Sequence, residues 1–155
     1  MRYGIQLFSL RKYLKDEAGY RKVFGRVADM GAEVVQLSGG KPVDPNVISR
    51  LSEAHSLPVC LTHDKFDRLE NDLDGLIAEH KIYACCAMGV GMMPGKFRTG
   101  EKADLNRFVD FLNLSADRLA QEDMTIAYPT HWFDFEKGGG DVMLDYLIAD
   151  TDQRV

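Results

Sequence analysis

At 155 residues the chain can bury one sizeable core and is not clearly long enough for two. With 45% hydrophobic and 28% charged residues, its composition is that of an ordinary globular protein. A net charge of −5 without any basic cluster argues against a nucleic-acid or membrane surface as partner.

The three cysteines, Cys60, Cys85 and Cys86, sit in apolar runs without a CxxC pair, and are expected to be buried, reduced thiols. The amino terminus has no apolar signal core and no run approaches a membrane span, so a cytoplasmic location is expected.

Residues 3–10 read as a first strand, apolar at Ile5, Leu7 and Phe8, with Gln6 as a polar exception. A helix over 15–30 follows, with Tyr20, Val23, Phe24, Val27 and Met30 at helical spacing and Gly31 as its C′ residue. Residues 32–37 form the second strand. Asp44-Pro45 is a helix start, an N-cap followed by proline at the first helical position, and that helix runs to about His55. The third strand covers 57–62 and ends at His63-Asp64. Asp67 to Glu70 has capping-box spacing and opens a helix that buries Leu69, Leu73, Leu76 and Ile77.

The near-continuous apolar run over 82–90 suits a fourth strand buried on both faces. A loop over 91–100 leads to the longest helix, 102–121, with Leu105, Phe108, Val109, Leu112, Ala116 and Leu119 in helical register. The fifth strand is 125–130, the run Gly138-Gly139-Gly140 is a turn, and 141–149 is a last short helix. Five strand–helix units of roughly 30 residues each demand a parallel sheet with right-handed crossovers. An open doubly wound sheet and part of an eightfold barrel both fit, and length alone favours the former, since a full barrel takes about 250 residues.

Four stretches bear on that choice: Tyr3-Gly-Ile-Gln-Leu-Phe-Ser-Leu-Arg11, Gly31-Ala-Glu-Val-Val-Gln36, Thr62-His63 and Leu69-Glu-Asn-Asp-Leu-Asp74. In this order they resemble the sugar phosphate isomerases/epimerases of the xylose isomerase-like barrel superfamily. The resemblance spans the whole chain and implies an α/β fold, a partial (β/α)8 TIM barrel of about five parallel strand–helix units. Residues 1–155 are then a single truncated xylose isomerase-like domain, with strands in the order 1-2-3-4-5. It also implies proton transfer next to a carbonyl of a sugar or sugar phosphate. The family's divalent metal (Mn, Mg, Zn or Co) is held by acidic and His ligands from strands five to eight. The family's fifth strand usually reads Tyr-His-Asn-His; here Pro129 and Thr130 stand where its first His and its Asn fall, leaving His131. Where many relatives carry Glu in strand two, this chain has Gln36. No metal ligand is therefore assigned, and tight metal binding is not expected.

The candidate catalytic residues are His63 and His131, each at the carboxyl end of a strand, where chemistry gathers in parallel α/β folds and where a side chain of pKa about 6.5 can move a proton. The plain alternatives are a histidine bonded to a neighbouring loop, and a surface aromatic cluster with Trp132, Phe133 and Phe135. The candidate substrate-binding residues are Gln6 and Gln36, amides on otherwise apolar strands, and Trp132, which could stack on a sugar ring. His55 and His80, near helix carboxyl ends, read as structural. Three functions stay open: an isomerase- or epimerase-like enzyme, a non-catalytic carbohydrate- or metabolite-binding fragment, and a structural fragment completed by a partner chain. Expected partners are a small sugar or sugar phosphate and, through exposed sheet edges, a second copy of the chain.

Overall fold

Short parallel strands alternate with helices in the computed structural model, which describes residues 2–138 and 140–155. The chain folds into two compact units, one made of residues up to His63 with Asp74–Met88, the other of Asp64–Leu73 with Gly89–Val155.

The first unit holds a parallel sheet of β1 (Gly4–Gln6), β2 (Val34–Leu37) and β3 (Val59–Thr62), in that order. Strand β1 lies at an edge of this sheet, whereas a doubly wound sheet would put it in the middle. Helix α1 (Glu17–Asp29) starts where the Asp16 carboxylate accepts from the Gly19 amide at 2.9 Å. Gly31, at φ +83°, supplies the left-handed residue that lets the chain turn into β2. Helix α2 (Pro45–His55) has the expected start, with Asp44 accepting from the Asn46 amide.

Val35 pairs with Ile5 and Val59 in the ladder and is fully buried in one apolar core with Phe24, Val27, Ile48 and Leu51. Because side chains alternate across a strand, Gln36 and its register partner Gln6 point to the other face. A register shift between Val35 and Gln36 leaves Cys60 as the extra residue of β3, so Leu61 opposes Gln36 and Thr62 opposes Leu37.

The first strand is shorter than expected: after Gln6 the chain winds into a 3-10 helix, Leu7–Tyr13, that buries Leu7 and exposes Phe8. The third helix is two pieces, α3 (Phe66–Asn71) and α4 (Leu73–Ile82), and α3 begins one residue before Asp67, without a side-chain cap. The apolar run 82–90 is only partly a strand. Ile82 ends α4 and is exposed, Ala84 takes a left-handed φ of +52°, and β4 covers Ala87–Gly89. An apolar run of this length suits a helix end as well as a strand, and hydrophobicity alone does not separate them. Of the cysteines, Cys85 is buried, but Cys60 and Cys86 are exposed, contrary to expectation; the bulge turns Cys60 outward, although its thiol still reaches the Val35 carbonyl. Burial of the Cys60 thiol raises its pKa.

Within the first unit His80 is fully buried. Its Nδ1 lies 2.8 Å from the Leu76 carbonyl oxygen, which can only accept, so the proton sits on Nδ1. Nε2 then accepts from the Thr62 hydroxyl at 2.9 Å, tying α4 to β3.

In the second unit, the Val90 amide donates to the carbonyl of Ala127, the last residue of β5 (Thr125–Ala127). Asp64 forms a single parallel bridge with Val90. Helix α5 (Lys102–Ala120) buries Leu105, Phe108, Val109, Leu112 and Leu119, the face read from its spacing. Phe108 lies within 5.2–6.3 Å, centroid to centroid, of Phe66, Phe97, Phe111 and Tyr128. This aromatic core supports the end of β5.

The fifth strand also stops early, at Ala127, and Trp132–Phe135 form a 3-10 turn. A small hairpin of β6 (Lys137–Gly138) and β7 (Asp141–Val142) precedes α6 (Met143–Asp150). Gly138 is buried against Met143 and Leu105, where a Cβ would come within 2.7 Å of the Met143 side chain. Gly140 takes φ +104°, and Gly139 of the glycine run lies outside the described residues. No helix is long and apolar enough to cross a membrane among the described residues.

Candidate functional site

Strand ends carry the polar groups in both units. In the first unit, β2 runs into Ser38, which is buried, and β3 runs into His63. The His63 amide donates to the Leu37 carbonyl, continuing the ladder one step past the strand. Ser38 Oγ and His63 Nδ1 are 3.1 Å apart. This bond fixes the imidazole at the end of the sheet. Gln6 and Gln36 lie beside each other one step back, Gln6 exposed and Gln36 partly buried.

In the second unit the site is built around a buried carboxylate. Asp134 is 0% exposed, yet it sits one residue from an exposed Phe135 and two from Trp132, which is 75% exposed. Burial of a charge demands hydrogen bonds. Asp134 accepts the Tyr128 hydroxyl on Oδ1 at 2.8 Å and the His131 amide on Oδ2 at 2.6 Å. The second bond is the reason for the turn: the carboxylate caps the start of the 3-10 segment three residues ahead of itself. Burial first, then the bond to Asp134 and its charge, hold the Tyr128 hydroxyl well above the ordinary tyrosine range, with the Arg98 guanidinium opposing the shift.

The His131 ring is stacked on Phe133, 5.1 Å between centroids and 7° from parallel. Its Nδ1 is buried, makes no hydrogen bond and lies 3.9 Å from Asp134 Oδ2. An imidazole so placed is oriented by packing on one side and faces a carboxylate on the other. Trp132 touches Phe133 edge-on at 5.7 Å. Arg98, in the loop after β4, places its guanidinium 4.1 Å over the Phe133 ring.

The structure thus puts Gln6, Gln36 and His63 at the carboxyl end of one sheet, and His131 and Trp132 in the other unit at the end of β5. Ser38, Tyr128, Asp134 and Arg98 were missed by the sequence reading. Only Asp134 carried a signal, its i, i+3 spacing from His131. Among the described residues no three His, Cys, Asp or Glu side chains come together as a metal-holding group. Asp134, the carboxylate paired with His131, is already engaged by two donors, so these side chains do not fit a divalent ion, which needs three or more ligands.

No family model matches the sequence, and no curated protein matches it. Solved structures do match its fold. A sugar phosphate isomerase/epimerase from Parabacteroides distasonis superimposes with a TM-score of 0.76 at 14% identity, over 97% of this chain and 61% of the other. A probable 3-DHS dehydratase involved in petrobactin synthesis from Bacillus anthracis gives 0.70 at 14% identity, over 99% and 60%. A xylose isomerase domain containing protein from Salmonella typhimurium gives 0.67 at 15% identity, over 96% and 56%. The fold is therefore that of a partial TIM barrel, and the chain spans less than two thirds of the length of these structures.

Proposed function

We propose that this chain carries out proton transfer next to the carbonyl of a sugar or sugar phosphate, in the manner of an isomerase or epimerase. The observation that carries the reading is His131, stacked on Phe133 at a strand's carboxyl end with the buried Asp134 carboxylate 3.9 Å from its ring nitrogen. The imidazole takes the proton from the carbon beside the carbonyl, and the C–H electron pair moves into an enediolate. The imidazolium exchanges its proton with solvent and returns one to the neighbouring carbon on the same face, while a proton moves through solvent from one enediolate oxygen to the other. Asp134 stabilises the imidazolium between the two transfers, and the exposed Trp132 ring offers a stacking surface for the sugar's C–H face. The residues present do not fit a metal, and no step here runs through one.

The test is exchange of the substrate's α-hydrogen in deuterium oxide, followed by proton NMR over a panel of ketoses, aldoses and their phosphates. Deuterium should enter one class of substrate and should cease to enter with His131→Gln. Incorporation undiminished in His131→Gln, or absent from every member of the panel, would refute the reading. A second reading, a non-catalytic carbohydrate-binding role, is favoured by the absence of a three-ligand group among the described residues; it predicts saturable sugar binding without exchange.

A further inference from the structure

Among the described residues Arg98 is a cation without an ion-pair partner. Its guanidinium lies flat against Phe133 at 4.1 Å, and its Nε is buried and makes no hydrogen bond. Among the described residues no carboxylate lies within ion-pair distance of it, whereas Arg68, Arg107, Arg118 and Arg154 each pair with an aspartate or glutamate. The nearby buried carboxylate, Asp134, is bonded instead to the Tyr128 hydroxyl and the His131 amide. A guanidinium held on an aromatic face keeps its edge free to take an oxyanion in a fork of two parallel bonds. Phe133 also carries the stacked His131 ring, so the cation and the proposed proton carrier share one support.

We propose that Arg98 is the anion-recognition residue of the second unit, and that the ligand taken beside His131 carries an oxyanion, either a phosphate monoester or a carboxylate. This rests on the reading of the same site as a sugar-handling one, and narrows the substrate to anionic members of that class. Phe133 fixes the plane of the guanidinium, and Arg98 fixes the charged end of the ligand, leaving the carbon framework toward His131 and Trp132.

The protein reports on this directly, because Trp132 is its single tryptophan and rests edge-on against Phe133. Tryptophan emission is followed while inorganic phosphate, and separately acetate, replaces chloride at constant ionic strength. Wild-type protein should show a saturable change at millimolar anion. Arg98→Gln should raise the midpoint at least about tenfold, the loss of roughly one charge-assisted hydrogen bond, and Arg98→Lys should recover part of it. Saturation by phosphate alone assigns a phosphate ester; saturation by both admits a carboxylate. A linear response in the wild type overturns the proposal, as does an unchanged midpoint in Arg98→Gln. Thermal melting of each variant separates lost binding from lost folding, and the wild-type titration decides on its own if Arg98→Gln does not fold. Binding needs no turnover, so an anion site without hydrogen exchange would sink the catalytic reading alone.

Discussion

Replacing Tyr128 by phenylalanine removes one oxygen and with it the donor to Oδ1 of a carboxylate that is 0% exposed. A hydrogen bond to a buried charged group contributes about 1.5–3 kcal/mol, so Tyr128→Phe should lower unfolding stability by about that much at neutral pH. The same bond predicts a pH dependence. Burial and Asp134 raise the Tyr128 pKa in the folded state above the ordinary value of about 10. The folded protein therefore keeps this proton when the unfolded chain releases it. The stabilisation is fully present below pH 10 and is lost as pH rises from there. One retained proton steepens the decline by about 1.4 kcal/mol per pH unit. Urea unfolding of both proteins between neutrality and pH 11 should show two curves that converge above pH 10, the wild type falling faster. If the variant matches the wild type at pH 7 within about 0.5 kcal/mol, a value typical of surface changes, and runs parallel above pH 10, the buried carboxylate is not supported by Tyr128.

Other substitutions probe the scaffold. Thr62→Val removes the hydroxyl bonded to His80 Nε2 inside the core and should cost about 1–3 kcal/mol in chemical denaturation. Gly39→Ala should cost about 1–2 kcal/mol, because Gly39 has φ +70° and a Cβ there would stand 2.6 Å from the Phe8 ring; a melting temperature equal to the wild type would contradict it. Phe108→Ala, at the centre of the aromatic core, should cost about 3–5 kcal/mol. Strands β1, β3, β4 and β5 each have a single strand neighbour among the described residues, so light scattering should give a mass above that of a monomer.

The fold was legible where periodicity and punctuation agree. Asp44-Pro45 and Gly31 marked helix boundaries that the backbone bears out, and the buried face of α5 follows its spacing. It was less legible where an apolar residue ends one element and starts another, as at Leu7 and Ile82, because burial rewards both conformations. The site was half visible. Histidines at strand ends stand out in a sequence, but their partners do not. Ser38 reaches His63 across 25 positions, and Arg98 meets Phe133 across 35, distances that no local pattern encodes.

The His80 imidazole, sealed between Leu76 and Thr62, has a spectroscopic consequence. A fully buried ring N–H that donates to a backbone carbonyl exchanges slowly enough to be seen by proton NMR, downfield of the amide envelope, where surface histidines leave no signal. Its lifetime measures how often α4 parts from β3. Since β3 leads straight into His63, that one resonance is a clock for the breathing of the sheet end that carries it.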